Sequence, residues 1–175
     1  MIRVEHIKEF RHVADLHDLS DAAEAAVEDG GGFGWVAPPP RHIMESYWKG
    51  VLMVPERKLF VGRLDGVIAG AAQLVQPPKA NEAQAGTGQI LAMFVAPWAR
   101  GHGLGRLLLT EIEKAARDEG FYVLNLDIRE TQKPAIHLIE ALGFQQWGQH
   151  PYYAMVKNEV IPGRFYCKKL RDDLE

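Results

Sequence analysis

The sequence predicts an α/β fold: a mixed, mostly antiparallel sheet of about six to seven strands with helices on both faces. Three observations carry this. Residues 89–120 read as an apolar run, a glycine-rich turn and an amphipathic segment, which is the order strand, loop, helix. Asp65-Gly66 separates two alternating or apolar runs, a strong two-residue hairpin signal. Laid end to end, the patterned segments give the order β-α-α-β-β-β-α-β-α-β-β.

Taken in order, residues 1–5 make a short opening strand. From residue 6 to about 27 the spacing becomes helical through Ile7, Phe10, Val13, Leu16 and the alanines of 22–26, and Ser20-Asp21 is placed to cap a second helical piece. Gly30-Gly31-Gly32 ends it, and Phe33-Gly34-Trp35-Val36 forms an aromatic loop stiffened at its exit by Pro38, Pro39 and Pro40. Ile43, Met44, Tyr47, Trp48 and Val51 mark a short amphipathic helix. Residues 58–65 and 67–76 are the hairpin strands, and the polar, glycine- and alanine-bearing stretch 77–88 is a flexible connection into a central strand at 90–95.

Beyond the turn, Leu104, Leu107, Leu108, Ile112 and Ala115 share one helical face, and Gly120 stops the helix. Residues 122–128 form another strand, Pro134 opens a short helix that ends at Gly143, and 144–149 and 164–170 are the last two strands. The helix after Gly103 connects two strands that are expected to run parallel, which puts the glycine-rich turn at the carboxyl end of a strand, where open α/β sheets bind ligands.

A length of 175 residues suits one domain, 1–175, and 47% hydrophobic content is ordinary for a globular protein. A formal charge of −3 without long single-sign runs gives no reason to expect nucleic acid, and no apolar stretch is long enough to span a bilayer. The opening MIRVEHIKEF mixes charge into its apolar residues and lacks the core of a secretory signal, so a cytoplasmic location is expected. The single cysteine, Cys167, reads as a small apolar side chain on a strand; the alternative, a catalytic thiol, has no neighbouring histidine in the sequence. Seven histidines show neither H-x-x-x-H nor a Cys/His cluster, so no metal is expected.

The chemistry sits in the turn. Glycines at 101, 103 and 105 remove side chains where a helix begins, so backbone N–H groups can converge on an anion at the positive end of the helix dipole. A diphosphate suits such a pocket. The dinucleotide fingerprint G-x-G-x-x-G fails, because Arg106 stands at its last position, and the Gly-Lys-Ser/Thr of a Walker loop is absent. What remains is Arg100-x-x-Gly103-x-Gly105, preceded by Val95-Ala96-Pro97 and followed by Ala135-Ile136 and Glu140-Ala141-Leu142-Gly143-Phe144. These three landmarks resemble those of the GNAT N-acetyltransferases. The glycine-rich segment before the second helix and the tail P-Y-Y…P-G-R-F-Y are similar, more loosely, to the small-molecule branch related to tabtoxin resistance protein.

The resemblance implies acetyl-CoA as cosubstrate and direct attack of an amine on its thioester through a tetrahedral intermediate. It implies a sheet that splays beside the loop, so that backbone groups of Met93, Phe94 and Val95 pair with the pantetheine arm, and that a backbone N–H near Phe94 or Val95 polarises the carbonyl. Cofactor contacts then fall on Arg100, Gly101, His102, Gly103, Leu104, Gly105 and Arg106, with Gln132 where the family has Asn. His102 reads as an exposed loop residue and Trp98 as packing beneath the loop.

Two further positions depart from the family pattern. The tyrosine that protonates the leaving thiolate in many relatives is Ile139 here, so Tyr152 or Tyr153 is the candidate substitute. Gln89 stands where many relatives place a water-activating Glu, and as an amide it can orient an amine but not take a proton. Asp127, at the end of its strand, is the candidate general base; a helix cap or an ion pair is the other reading.

The resemblance places the segment bearing Phe33, Trp35, Tyr47 and Trp48 over the acceptor cleft; core packing of a short helix accounts for about half of these residues, the others suit a small-molecule amine with an apolar portion, and residues 30–32 and 150–163 read as movable walls. An acyl-CoA binder that transfers nothing, and an enzyme acting on a protein N-terminus or lysine, are the alternatives. The protein is expected to be a monomer or a homodimer, with 164–170 available to pair across a dimer.

Overall fold

The computed structural model describes residues 1–174. In chain order its elements are β1 (Ile2–Ile7), α1 (Val13–Glu28), α2 (Arg41–Leu52), β2 (Arg57–Leu64), β3 (Val67–Val75), β4 (Thr87–Val95), α3 (Leu104–Asp118), β5 (Val123–Arg129), α4 (Lys133–Ala141), β6 (Gln145–Val156) and β7 (Glu159–Lys169). The seven strands form one sheet in the order β1-β2-β3-β4-β5-β7-β6. Every neighbouring pair is antiparallel except β4 and β5. The element order and the sheet type are those the sequence predicts.

One apolar layer packs α3 and α4 on the sheet through Leu104, Leu108, Ile112, Leu124 and Ile139. The other packs α1 and α2 on the opposite face through Leu19, Ala23, Met44, Trp48, Val61 and Phe94. The turn between β2 and β3 has both Asp65 and Gly66 at positive φ, 50° and 88°, as a two-residue hairpin turn requires.

Three expectations are corrected. The strand from residue 1 continues to Ile7, because Ile7 pairs with Leu59 of β2, and the helix begins only at Val13. Ser20 caps nothing: it is fully buried inside an unbroken α1, whose Leu19, Ala22, Ala23 and Ala26 pack on the sheet. Small side chains let the helix lie close, and that packing overrides the local capping signal.

The largest correction is at the C-terminus. Residues 150–163, expected as a movable wall between two strands, are instead the hairpin-proximal halves of β6 and β7, which turn at Lys157 and Asn158, both at positive φ. Their polarity conceals a hairpin with little apolar alternation, because β6 is an edge strand exposed along most of its length. β7 lies between β5 and β6, so residues 164–167 have both edges occupied and the strand is not a free edge that could pair across a dimer. Among the described residues, no helix is long and apolar enough to cross a membrane.

Candidate active site

β4 and β5 pair only from Thr87 to Gln89 against Val123 to Asn125. Beyond Gln89 the two strands separate, leaving the β5-facing edge of β4 without a strand partner. On its other side β4 carries a bulge, where Ala71 pairs with Phe94 but Gln73 with Leu91, and Ala92 adopts φ 52°. The bulge turns Phe94 onto the α1/α2 layer and Met93 and Val95 onto the α3/α4 layer. Met93, Phe94 and Val95 therefore border the opening with both faces anchored.

At the carboxyl end of β4 lies the glycine-rich loop. Gly103 is the residue before α3 and has φ 82°, a conformation that side-chain-bearing residues rarely adopt. The first backbone N–H to find a carbonyl is that of Leu107, which donates to Gly103. Among the described residues the six N–H groups from Gly101 to Arg106 have no protein acceptor. Leu104 is buried and anchors the helix start against Gly62 of β2. Arg106 is exposed and its guanidinium has no protein partner there, while Arg100 donates to Asp29 Oδ2 at 2.6 Å. His102 is exposed, with Nδ1 3.1 Å from the Ala99 and Arg100 carbonyls. Trp98 does not pack beneath the loop: it is 52% exposed, and the small Ala99 takes the buried place.

On the other side of the opening, Asp127 of β5 is held by two donors. Gln89 Nε2 donates to Oδ1 at 3.1 Å, and the Tyr153 hydroxyl donates to Oδ2. Gln89 is reached from the last paired position of β4, so the bond lies at the apex of the splay. Tyr153 arrives from β6 across β7. Its ring lies over Gly163, where any β-carbon would collide with it, and against Phe165 at 5.9 Å between centroids. Burial, and then the hydrogen bond to Asp127, push the Tyr153 phenol far above the ordinary tyrosine value. Tyr152 points the other way along the strand and is 76% exposed, so the structure brings together Gln89, Asp127 and Tyr153 and leaves Tyr152 out.

A strap closes the top of the opening. Residues 29–32, between α1 and α2, are tied to three positions around it: Asp29 to Arg100, the Gly30 carbonyl to Gln132 Nε2 at 2.7 Å, and the Gly32 carbonyl to Arg129 Nη2 at 2.6 Å. Beneath the strap Phe33 stacks on Phe94, with centroids 5.1 Å apart, and meets Trp35, Tyr47 and Trp48 at 5.5 to 5.9 Å. Trp48 is wholly core, whereas Phe33, Trp35 and Tyr47 are half-buried.

Residues 18–144 match the acetyltransferase (GNAT) family. The chain belongs to the GNAT acetyltransferases. It is 64% identical, over 75% of its length and 78% of the relative's, to an N-acetyltransferase of the hisH-hisA intergenic region in Azospirillum brasilense. An IAA acetyltransferase of the same organism is 34% identical over 55% of this chain and 60% of its own. Among solved structures, yncA, a putative acetyltransferase of Salmonella typhimurium with its cofactor acetyl-CoA, superposes with a TM-score of 0.79 at 19% identity, over 100% and 97% of the two chains. A ribosomal-protein-alanine N-acetyltransferase of Brucella melitensis gives 0.78 at 22%, over 95% and 99%. These two likenesses are of fold.

The protein is an acetyl-CoA-dependent N-acetyltransferase. Its residues fit that cosubstrate: six free N–H groups at a helix N-terminus are a donor set for a diphosphate, and the unpaired edge of β4 offers the arm a strand to lie on. When bound, acetyl-CoA supplies an acetyl thioester open to attack by an amine. Ile139, at the position of the family's tyrosine, is buried in the α3/α4 layer and has no proton to give.

Sequence reasoning misses Asp29, Arg129 and Gly163 in the acetyltransferase. The first two act through a loop that only the folded chain brings to the opening. Gly163 carries a faint signal, a glycine inside a strand, which marks close approach of another group.

Proposed function

We propose that this acetyltransferase acetylates a primary amine of a small molecule, within one domain, with Asp127 as the proton acceptor. The observation that carries the reading is the Gln89–Asp127–Tyr153 set at the apex of the β4–β5 splay. Asp127 is half-buried, and each of its oxygens keeps room for a further hydrogen bond beyond the one it accepts. An amine approaching from the α1/α2 face meets this carboxylate on one side and the edge of β4 on the other. Asp127 then takes the proton that the attacking nitrogen loses. A backbone N–H near Phe94 or Val95 polarises the carbonyl, and the loop 100–106 with Gln132 holds the carrier.

Tyr153 takes a different role from the one its residue type suggests. A phenol whose pKa is raised, and whose proton already points at a carboxylate, is a poor acid for a thiolate. It serves as a positioning residue that fixes Asp127. The leaving thiol, with an ordinary pKa of about 8 to 9, departs as the thiolate.

A small acceptor is favoured by the strap. Its ties to Arg100, Gln132 and Arg129 cross the opening, and Phe33 stacks on Phe94 beneath, an arrangement that favours a compact acceptor over an extended peptide. Relatives bear names of both kinds, a glucosamine 6-phosphate N-acetyltransferase of Trypanosoma brucei brucei and the ribosomal-protein-alanine enzyme among them. The test is a mass-spectrometric screen of a mixed pool of small amines and short peptides, with and without acetyl-CoA. Acetyl adducts on small amines are the expected result. Adducts confined to peptides, or saturable acetyl-CoA uptake with no adduct at all, would replace this reading by one of its two alternatives.

A further inference from the structure

Beside the strap lies a cleft of about 390 Å³ between Gly30, the end of β5 at Arg129 and Thr131, and the tip of the β6–β7 hairpin at Lys157 and Glu159. That volume falls within the range of small-molecule sites, at its lower end. Arg129 follows Asp127 by two residues on β5, so the two side chains leave the same face of the strand roughly 6.6 Å apart at the backbone. The Arg129 charge is felt at the Tyr153 phenol, which it lowers against the stronger raising effects. The cleft therefore adjoins the Asp127 set.

The charges around it do not balance. Arg129 is half-buried, yet its only protein partners among the described residues are the Gly32 carbonyl at 2.6 Å and the Gly30 carbonyl at 3.5 Å, both reached by Nη2. Its Nε and Nη1 donors have none. The carboxylates next to it on the chain are committed: Asp127 to Gln89 and Tyr153, and Glu130 to Arg164 and Gln149. Lys157, held at the hairpin tip with φ 51°, has no ion-pair partner among the described residues. Glu159, across the turn from it at the start of β7, is the one opposing charge in the lining, and it is exposed, as Lys157 is. Two cations against one carboxylate leave the cleft positive, and of the three charges only the Arg129 guanidinium is half-buried.

We propose that this cleft binds an anionic group of the acceptor, so that the preferred substrate is a free amino acid whose carboxylate pairs with Arg129 and Lys157 while its amine reaches Asp127. The inference rests on the reading of Asp127 as the place where the amine is received. Backbone spacing between Asp127 and Arg129, extended by two side chains, spans the few bonds that separate an amine from a carboxylate in such a molecule. A peptide N-terminus, whose carboxylate is remote, lacks that match.

The test is a binding and turnover comparison of matched pairs, each amino acid against its carboxamide, on the CoA-loaded protein. Binding is read by ligand-observed NMR, independently of acetyl transfer. An ion pair to a partly buried guanidinium is worth about tenfold or more, so the acid is expected to bind at least about ten times more tightly than the amide. Arg129→Gln should abolish that ratio and Arg129→Lys restore part of it. Because Arg129 also ties the strap, Lys157→Gln supplies a variant outside it, expected to lower the ratio about threefold. Equal binding of acid and amide, an unchanged ratio in Arg129→Gln, or no binding of either member overturns the proposal. Selective binding without acetylated product leaves this site standing and removes the reading of the small-amine reaction instead.

Discussion

The two sides of the β4–β5 opening are built on different principles. On the side proposed to hold the carrier the polar groups are main chain: six N–H groups in one short loop, exposed by glycines and supported by a helix end. On the side proposed to receive the acceptor they are brought together from distant segments: Gln89, Asp127, Tyr153 and the strap at 29–32. A site made of backbone tolerates changes of side chain wherever φ allows. A site made of side chains depends on every strand that aims them.

The contrast is broken most severely at Asp127. Asp127→Asn keeps the shape and one acceptor oxygen but cannot take a proton, so turnover should fall by about 100- to 10,000-fold. Acetyl-CoA affinity, measured by calorimetry, should stay within about twofold, since the carrier side is untouched. An unaltered rate would remove Asp127 from the chemistry.

Next comes the backbone side. Gly103→Glu forces a side chain into φ 82° and sets a carboxylate against a diphosphate, so acetyl-CoA should bind at least about 100-fold more weakly. His102→Ala, by contrast, should change that affinity by less than about twofold, because the loop contributes through its N–H groups. A large loss in the alanine variant would move the carrier site from main chain to side chain.

A smaller effect tests how the acceptor side is aimed. Gly163→Ala places a β-carbon in the space of the Tyr153 ring, so it should lower turnover about tenfold, as should Tyr153→Phe, which deletes the bond to Asp127. The double variant should be little worse than either, because both remove the same contact. Tyr153 also has a pH signature. Its folded pKa lies above the ordinary value of 10.0, so its contribution to stability is fully present below about pH 10 and is lost only as pH rises through the folded value. A phenolate titration comparing the protein with Tyr153→Phe should show no Tyr153 ionisation below pH 10.

The same contrast governs what was legible beforehand. The carrier loop is local, and Arg100-x-x-Gly103-x-Gly105 states its geometry within six residues. Asp127 and Tyr153 were each visible as candidates, but their pairing depends on the register of three strands. The choice between Tyr152 and Tyr153 is a matter of strand alternation, and the sequence offers none where 150–163 lies outside the predicted strands. The Ala92 bulge and the strap ties left no pattern, because each is imposed by a neighbour: β3 in one case, and Arg100, Arg129 and Gln132 in the other.

The Asp29–Arg100 pair joins the two sides, and its removal should have a small effect. Asp29 and Arg100 are about half exposed, at 49% and 48%, so water screens the pair and its contribution to stability is small. A bound diphosphate carries more charge than one carboxylate and competes with Asp29 for the same guanidinium. Asp29→Asn should therefore tighten acetyl-CoA binding by about two- to threefold at low salt, with the gain fading as ionic strength rises. The sign matters more than the size. Weaker binding in the variant would mean that the strap is ordered by Asp29 to receive the carrier, and that the acceptor side helps to build the carrier side.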